Sequence, residues 1–167
     1  MSDANPAAPA ETGGPTRKFL VVVDTWTELK AALRFACRRA LHSNGAIGLF
    51  HAVPQAEFHH FAAIGTLMER EARGAGEQLL QDVAGEVHRL TGTFPALYIR
   101  EGDTTEQLIK VLAEEPAITV LVLGAGTGKE GPGPLVTALS GQLAGKIRIP
   151  VTIVPGDLDE ARIDALT

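Results

Sequence analysis

The chain of 167 residues is poor in cysteine and in aromatic side chains, and it has no excess of positive charge. Its single cysteine excludes a disulfide framework and points to a reducing compartment. A chain this long buries roughly two-thirds of its unfolded surface, so one domain can stand without a disulfide or metal staple. Six Phe, one Trp and one Tyr are all the aromatics it has. The core is therefore expected to be aliphatic. Fifteen Lys and Arg against twenty Asp and Glu leave a net charge of −5, without the basic face expected of a protein that coats nucleic acid or an anionic membrane. No run approaches the ~18 apolar residues of a membrane span. Residues 1–16, MSDANPAAPAETGGPT, offer almost no apolar surface and lack the basic and apolar regions of a secretory signal. A disordered tail on a soluble, cytoplasmic protein is expected.

Glycine is the residue in surplus, with 18 copies in a chain where ~7% is usual. Five of them fall in Gly124-Ala-Gly-Thr-Gly-Lys-Glu-Gly-Pro-Gly133. Composition alone leaves this cluster open as a slack crossover or a binding loop.

Around it the hydrophobic pattern alternates in type. Phe19–Val23, Ala46–Val53, Ala96–Arg100, Ile118–Leu123 and Val151–Val154 are short apolar runs of the kind buried on both faces of a parallel sheet. Between them lie helical repeats. The first carries Leu29, Leu33, Ala36, Cys37, Ala40 and Leu41 behind a Thr25/Glu28 capping box. The second carries Leu79, Leu80, Val83, Val87 and Leu90 behind a Thr66/Glu69 box, with Gly74, Gly76 and Gly85 weakening its regularity. Asp103 and Glu106 cap the third. Pro134 suits the first position of a fourth helix running to about Lys146, and Asp157 and Glu160 suit the start of a short terminal one. Strands alternating with helices predict a doubly wound parallel α/β sheet, whose ligands bind beyond the strand carboxyl ends where strand order reverses. Asp24 and Gly124, at the ends of strands one and four, stand at the natural candidates for that place.

Asp24 reads equally well as ordinary turn chemistry and as a polar contact to a ligand. The 124–133 loop is the stronger signal. Glycines let successive N–H groups converge on an anion, the following helix adds its positive end, and Lys129 adds a mobile cation. A plain crossover is usually only ~2–6 residues long. Two sharper motifs fail on spacing. Gly124 lies too close to Gly128-Lys129 for a P-loop, and Glu130 stands where that motif needs a hydroxyl. Gly126-Thr-Gly-Lys-Glu-Gly131 matches the letters of a dinucleotide fingerprint but follows the fourth strand instead of the first. His51, His59 and His60, with Glu57 nearby, lack the spacing of a metal site, and none is expected. Cys37 reads as core packing, and there is no Gly-x-Ser-x-Gly elbow.

From about Arg17 to Gly156 the chain resembles the universal stress protein (UspA) family. The resemblance rests on Phe19-Leu-Val-Val-Val-Asp24, Leu49-Phe-His-Ala-Val53, Gly102-Asp103, Leu121-Val-Leu-Gly124 and Ile149-Pro-Val-Thr-Ile-Val154 in that order. It implies one domain over residues 17–156, with 157–167 as a short helix or tail. The implied fold is a Rossmann-like, adenine nucleotide alpha hydrolase-like sheet of five parallel strands in the order 3-2-1-4-5, with helices on both faces. It also implies a homodimer joined along strand 151–154. Some members bind ATP, and by resemblance Asp24 and Ala52 frame adenine and ribose. Leu123, Gly124, Gly126, Thr127, Gly128 and Lys129 then form the phosphate loop, and Thr137, Ala138 and Leu139 its closing end. ATP or AMP is the implied ligand, with Mg²⁺ only alongside ATP and turnover no greater than slow hydrolysis. The family signature puts glycines where this chain has Thr127 and Thr137, and a hydroxyl where it has Ala138. A dimeric interaction protein without nucleotide is the competing expectation, and the 54–65 segment has no assigned role.

Overall fold

The computed structural model describes residues 17–24, 26–55 and 62–167. Five strands form a single sheet: β1 Lys18–Val22, β2 Ala46–Val53, β3 Ala96–Glu101, β4 Ile118–Ala125 and β5 Val151–Pro155. Every pairing is parallel, and the order is β3-β2-β1-β4-β5. Five helices alternate with them: α1 Trp26–Ser43, α2 Ala62–Thr91, α3 Thr104–Glu114, α4 Pro134–Ser140 and α5 Glu160–Leu166. This is the expected architecture, with the chain reversing its direction of growth between β1 and β4.

Because side chains alternate across a strand, the two sheet faces collect different residues. Phe19, Val21, Val23, Leu49 and Val122 join Leu29, Leu33, Val83 and Ile163 in one core, under α1, α2 and α5. Leu20, Val22, Phe50, Leu121 and Leu123 join Leu108, Val111 and Leu139 in the other, under α3 and α4. Both cores are almost wholly aliphatic. Cys37 lies in the first, and burial, with Glu86 adding to it, pushes its thiol up to about 12, as expected of a packing residue.

Several boundaries differ from the sequence reading, each for a local reason. Helix α2 begins at Ala62, so Thr66 sits a full turn inside it and cannot cap it. The helix then runs unbroken through its glycines. Gly76 is needed there, because a Cβ on it would stand 2.9 Å from the His51 ring. Helix α4 stops at Ser140, well short of Lys146, where Gly141 ends it in an irregular conformation. Residues 143–146 continue in turns closed by Ala144 N–Gly141 O and Lys146 N–Leu143 O bonds. Asp159, not Asp157, caps α5, accepting the Arg162 amide at 2.7 Å. Leu41 is 53% exposed and takes no part in the core. The Asp103 cap is as expected, accepting the Glu106 amide at 2.9 Å. Thr25, Glu57, His59 and His60 lie outside the described residues, as do residues 56–61 of the 54–65 segment. Among the described residues no helix is long and apolar enough to cross a membrane.

Candidate functional site

The reversal between β1 and β4 leaves a gap at their carboxyl ends, since the crossovers from these two strands leave in opposite directions. A cavity of about 650 Å³ opens there. Its size falls in the ~300–1,000 Å³ range of small-molecule sites. Val22 and Leu123, from the strands, lie at its base. Asp24 and Glu28 line the β1–α1 side, and the glycine loop from Gly124 to Gly133 lines the other.

Glycine is required at the point where these walls meet. A Cβ on Gly124 would lie 2.5 Å from the backbone oxygen of Glu28, and one on Gly156 would lie 3.0 Å from Glu28 Cα. The first turn of α1 thus rests directly on the backbone of β4 and of the segment after β5. Gly126 has a different reason. The loop folds back over it, and a Cβ there would lie 2.7 Å from Gly131 O and 3.5 Å from the Glu28 carboxylate. Gly131 and Gly133 have φ of 83° and 103°, a region that only glycine enters without strain.

The entry of Asp24 is fixed by its neighbour. Val23 N donates to Phe50 O at 2.7 Å, and His51 Nδ1 donates to Val23 O, also at 2.7 Å. A carbonyl can only accept, so the His51 proton sits on Nδ1. This histidine therefore acts as a tether for the end of β1. Among the described residues, no group of three or more His, Cys, Asp or Glu is placed to hold a metal ion.

The sequence-derived residues divide into two sets. Asp24, Leu123, Gly124, Gly126, Gly128 and Lys129 all line the cavity. Ala52, Thr127, Thr137, Ala138 and Leu139 do not line it. Ala52 and Leu139 are buried in the α3–α4 core, and Thr127 is exposed. Thr137 Oγ1 donates to Gly133 O at 2.9 Å and Ser140 Oγ to Val136 O at 2.7 Å, so both hydroxyl protons are spent on helix carbonyls. The loop uses two of its own amides as well, in Gly126 N–Pro132 O at 3.3 Å and Gly131 N–Gly128 O at 3.2 Å. Glu28 is the wall residue that spacing did not reveal. The sequence shows it as a capping partner, and only the contact of α1 with Gly124 and Gly126 brings it to the cavity.

The family model of the universal stress proteins matches residues 15–155. The chain belongs to the universal stress protein family. No curated protein matches its sequence. Its fold is shared by universal stress protein UspA from Lactobacillus plantarum, at 14% identity and a TM-score of 0.69, over 83% of this chain and 97% of that one. A universal stress protein family protein from Arabidopsis thaliana, solved with AMP bound, aligns at 16% identity and TM-score 0.58, over 86% and 94% of the two chains. One from Archaeoglobus fulgidus in complex with dAMP aligns at 16% identity and TM-score 0.56, over 84% and 99%. The matched region stops before α5, which this universal stress protein packs against α1. Arg34 makes a two-pronged contact with Asp164 at 2.9 and 2.8 Å. That contact outweighs the opposing effect of burial and holds the Asp164 carboxyl below its ordinary value.

Proposed function

We propose that this universal stress protein is a regulatory module that binds an adenine nucleotide, ATP or AMP, in the cavity between β1 and β4, with no turnover of its own. The observation that carries this reading is the glycine-walled cavity at the one place where the sheet reverses. Asp24 and Gly124 both line it. Adenine nucleotides held by the plant and archaeal neighbours of the same fold support the choice of ligand. The reading includes a cytoplasmic homodimer paired along residues 151–154. Strand β5 ends the sheet, and its Ile153 is 41% exposed, the kind of open edge that proteins generally cover.

The test is direct. Protein purified without added nucleotide is heat-denatured and the released ligand chromatographed; ATP, ADP and AMP are then titrated calorimetrically and the native mass is measured. Released or titrated nucleotide and a dimer mass are expected. No ligand and no heat with any of the three would overturn the ligand, and a monomer mass would overturn the dimer.

One observation favours a second reading, a dimeric interaction protein without nucleotide. The loop bonds to itself through Gly126 and Gly131, and Thr127 and Ala138 occupy signature positions. On that reading excess ATP leaves the melting temperature unchanged.

A further inference from the structure

Strand β2 outlasts its neighbour. β1 ends at Val22, paired with Phe50, while β2 continues beside β3 to Val53. Past Val22, two bonds at Val23 still join the chains. Its N–H donates to Phe50 O, and its carbonyl, in a residue only 1% exposed, accepts from His51 Nδ1. A buried carbonyl needs such a partner, and here a side chain supplies it.

The effect of that bond reaches beyond Val23. The carbonyl of Val23 shares one rigid peptide plane with the nitrogen and Cα of Asp24. Fixing the oxygen therefore fixes where Asp24 starts, at the edge of the cavity it lines. His51 is held in turn by α2. A Cβ on Gly76 would stand 2.9 Å from its Cδ2, 3.1 Å from its Nε2 and 3.2 Å from Val53 Cγ2. The ring and the end of β2 thus lie close against the α2 backbone. Contacts run from α2 through His51 to the peptide that carries Asp24.

We propose that His51 is a positioning residue for the ligand, holding Asp24 in place at the cavity, and that α2 sets the place of His51 through Gly76. This rests on the nucleotide reading above and deepens it, by naming what aims one wall of the site. A group that contacts a ligand has to be held to within ~0.5 Å by the residues behind it. Asp24 is itself exposed, so its own packing does little of this. Without the His51 proton the Val23 carbonyl is left buried and unpaired, and the peptide turns to find another donor, carrying Asp24 with it.

The experiment titrates AMP calorimetrically into the full chain as wild type, His51→Asn, His51→Phe, Gly76→Ala and Asp24→Ala. The last is also combined with His51→Phe and with Gly76→Ala. Asparagine puts an amide N–H where the imidazole Nδ1–H stands, whereas phenylalanine keeps a flat ring without it. His51→Phe is expected to weaken AMP binding about fivefold to tenfold, and His51→Asn less than about threefold. Gly76→Ala, crowding the ring from α2, is expected to weaken it about threefold. In the Asp24→Ala background both losses are expected to shrink to within about twofold, because a residue acting through Asp24 has nothing left to aim. A purely structural role lowers the melting temperature and gives losses that add. Losses that add in full, affinity unchanged in His51→Phe or in Gly76→Ala, or Asp24→Ala binding AMP like wild type would each overturn the proposal. If His51→Phe does not fold, the Gly76→Ala cycle decides alone. Failure of AMP to bind wild type would instead overturn the nucleotide reading.

Discussion

Among the cavities lined by described residues, two have nearly equal volume and are built from opposite materials. The one between β1 and β4, about 650 Å³, is walled largely by backbone, with glycines and prolines from residues 124–134 along one side. The other, about 700 Å³, lies among α1, α2 and α5 and is rimmed by charged side chains, several of them engaged in ion pairs. Arg34 holds Asp164 and Glu160, and Arg89 holds Glu86. Volume does not tell these two apart. A backbone wall presents fixed polar groups to whatever enters, at no cost in side-chain entropy. On the rim of the second cavity Arg34 is occupied in fastening α5 to α1, which makes it a seam between helices.

The largest effect that would break this contrast is expected at Gly124. In Gly124→Ala the new Cβ meets the Glu28 carbonyl, and neither backbone can yield without moving α1 or β4. A loss of about 2–3 kcal/mol is expected, as for other overpacked sites. A loss of that size lowers the melting temperature by several degrees. Gly128→Ala in the same loop has nothing within 4 Å of its Cβ and should stay within ~0.5 kcal/mol of wild type. Thermal denaturation followed by circular dichroism checks both. Equal stability of the two variants would mean that α1 does not rest on Gly124.

A smaller effect is expected at the seam. Pairing with Arg34 depresses the Asp164 carboxyl, so its contribution is complete above the unfolded-state value, near the ordinary 3.8, and is lost as pH falls through the lower folded value. Hydrogen exchange of the α5 amides should therefore be steady around neutrality and quicken under acid, with Asp164→Asn showing the quickened exchange already at neutral pH. Protection of α5 that is the same in the variant and in wild type would show that Ile163 and its apolar neighbours hold the helix without the ion pair.

Much of this was legible in the chain. The five apolar runs and the Asp103 cap mark the elements, and their alternation implies a parallel sheet with a cavity near Asp24 and Gly124. What escaped depends on contacts distant in sequence. The start of α2 carries no side-chain cap signal before Ala62, so Thr66 attracted the boundary instead. Gly76 looked like a weak point in a helix until the His51 ring was seen to need its space. The loop's return of Gly131 over Gly126, which consumes two amides, leaves no trace in a list of glycines. Glu28 is the same case: a residue with an adequate local role, made part of the cavity by a strand a hundred positions away.

The most direct test of the central claim follows the backbone amide signals of the full chain while AMP is added. The expected result is a set of saturable shifts centred on residues 124–133 and on Asp24, with the amides lining the α1–α2–α5 cavity unmoved. Shifts confined to that second cavity, or none at saturating AMP, would contradict it.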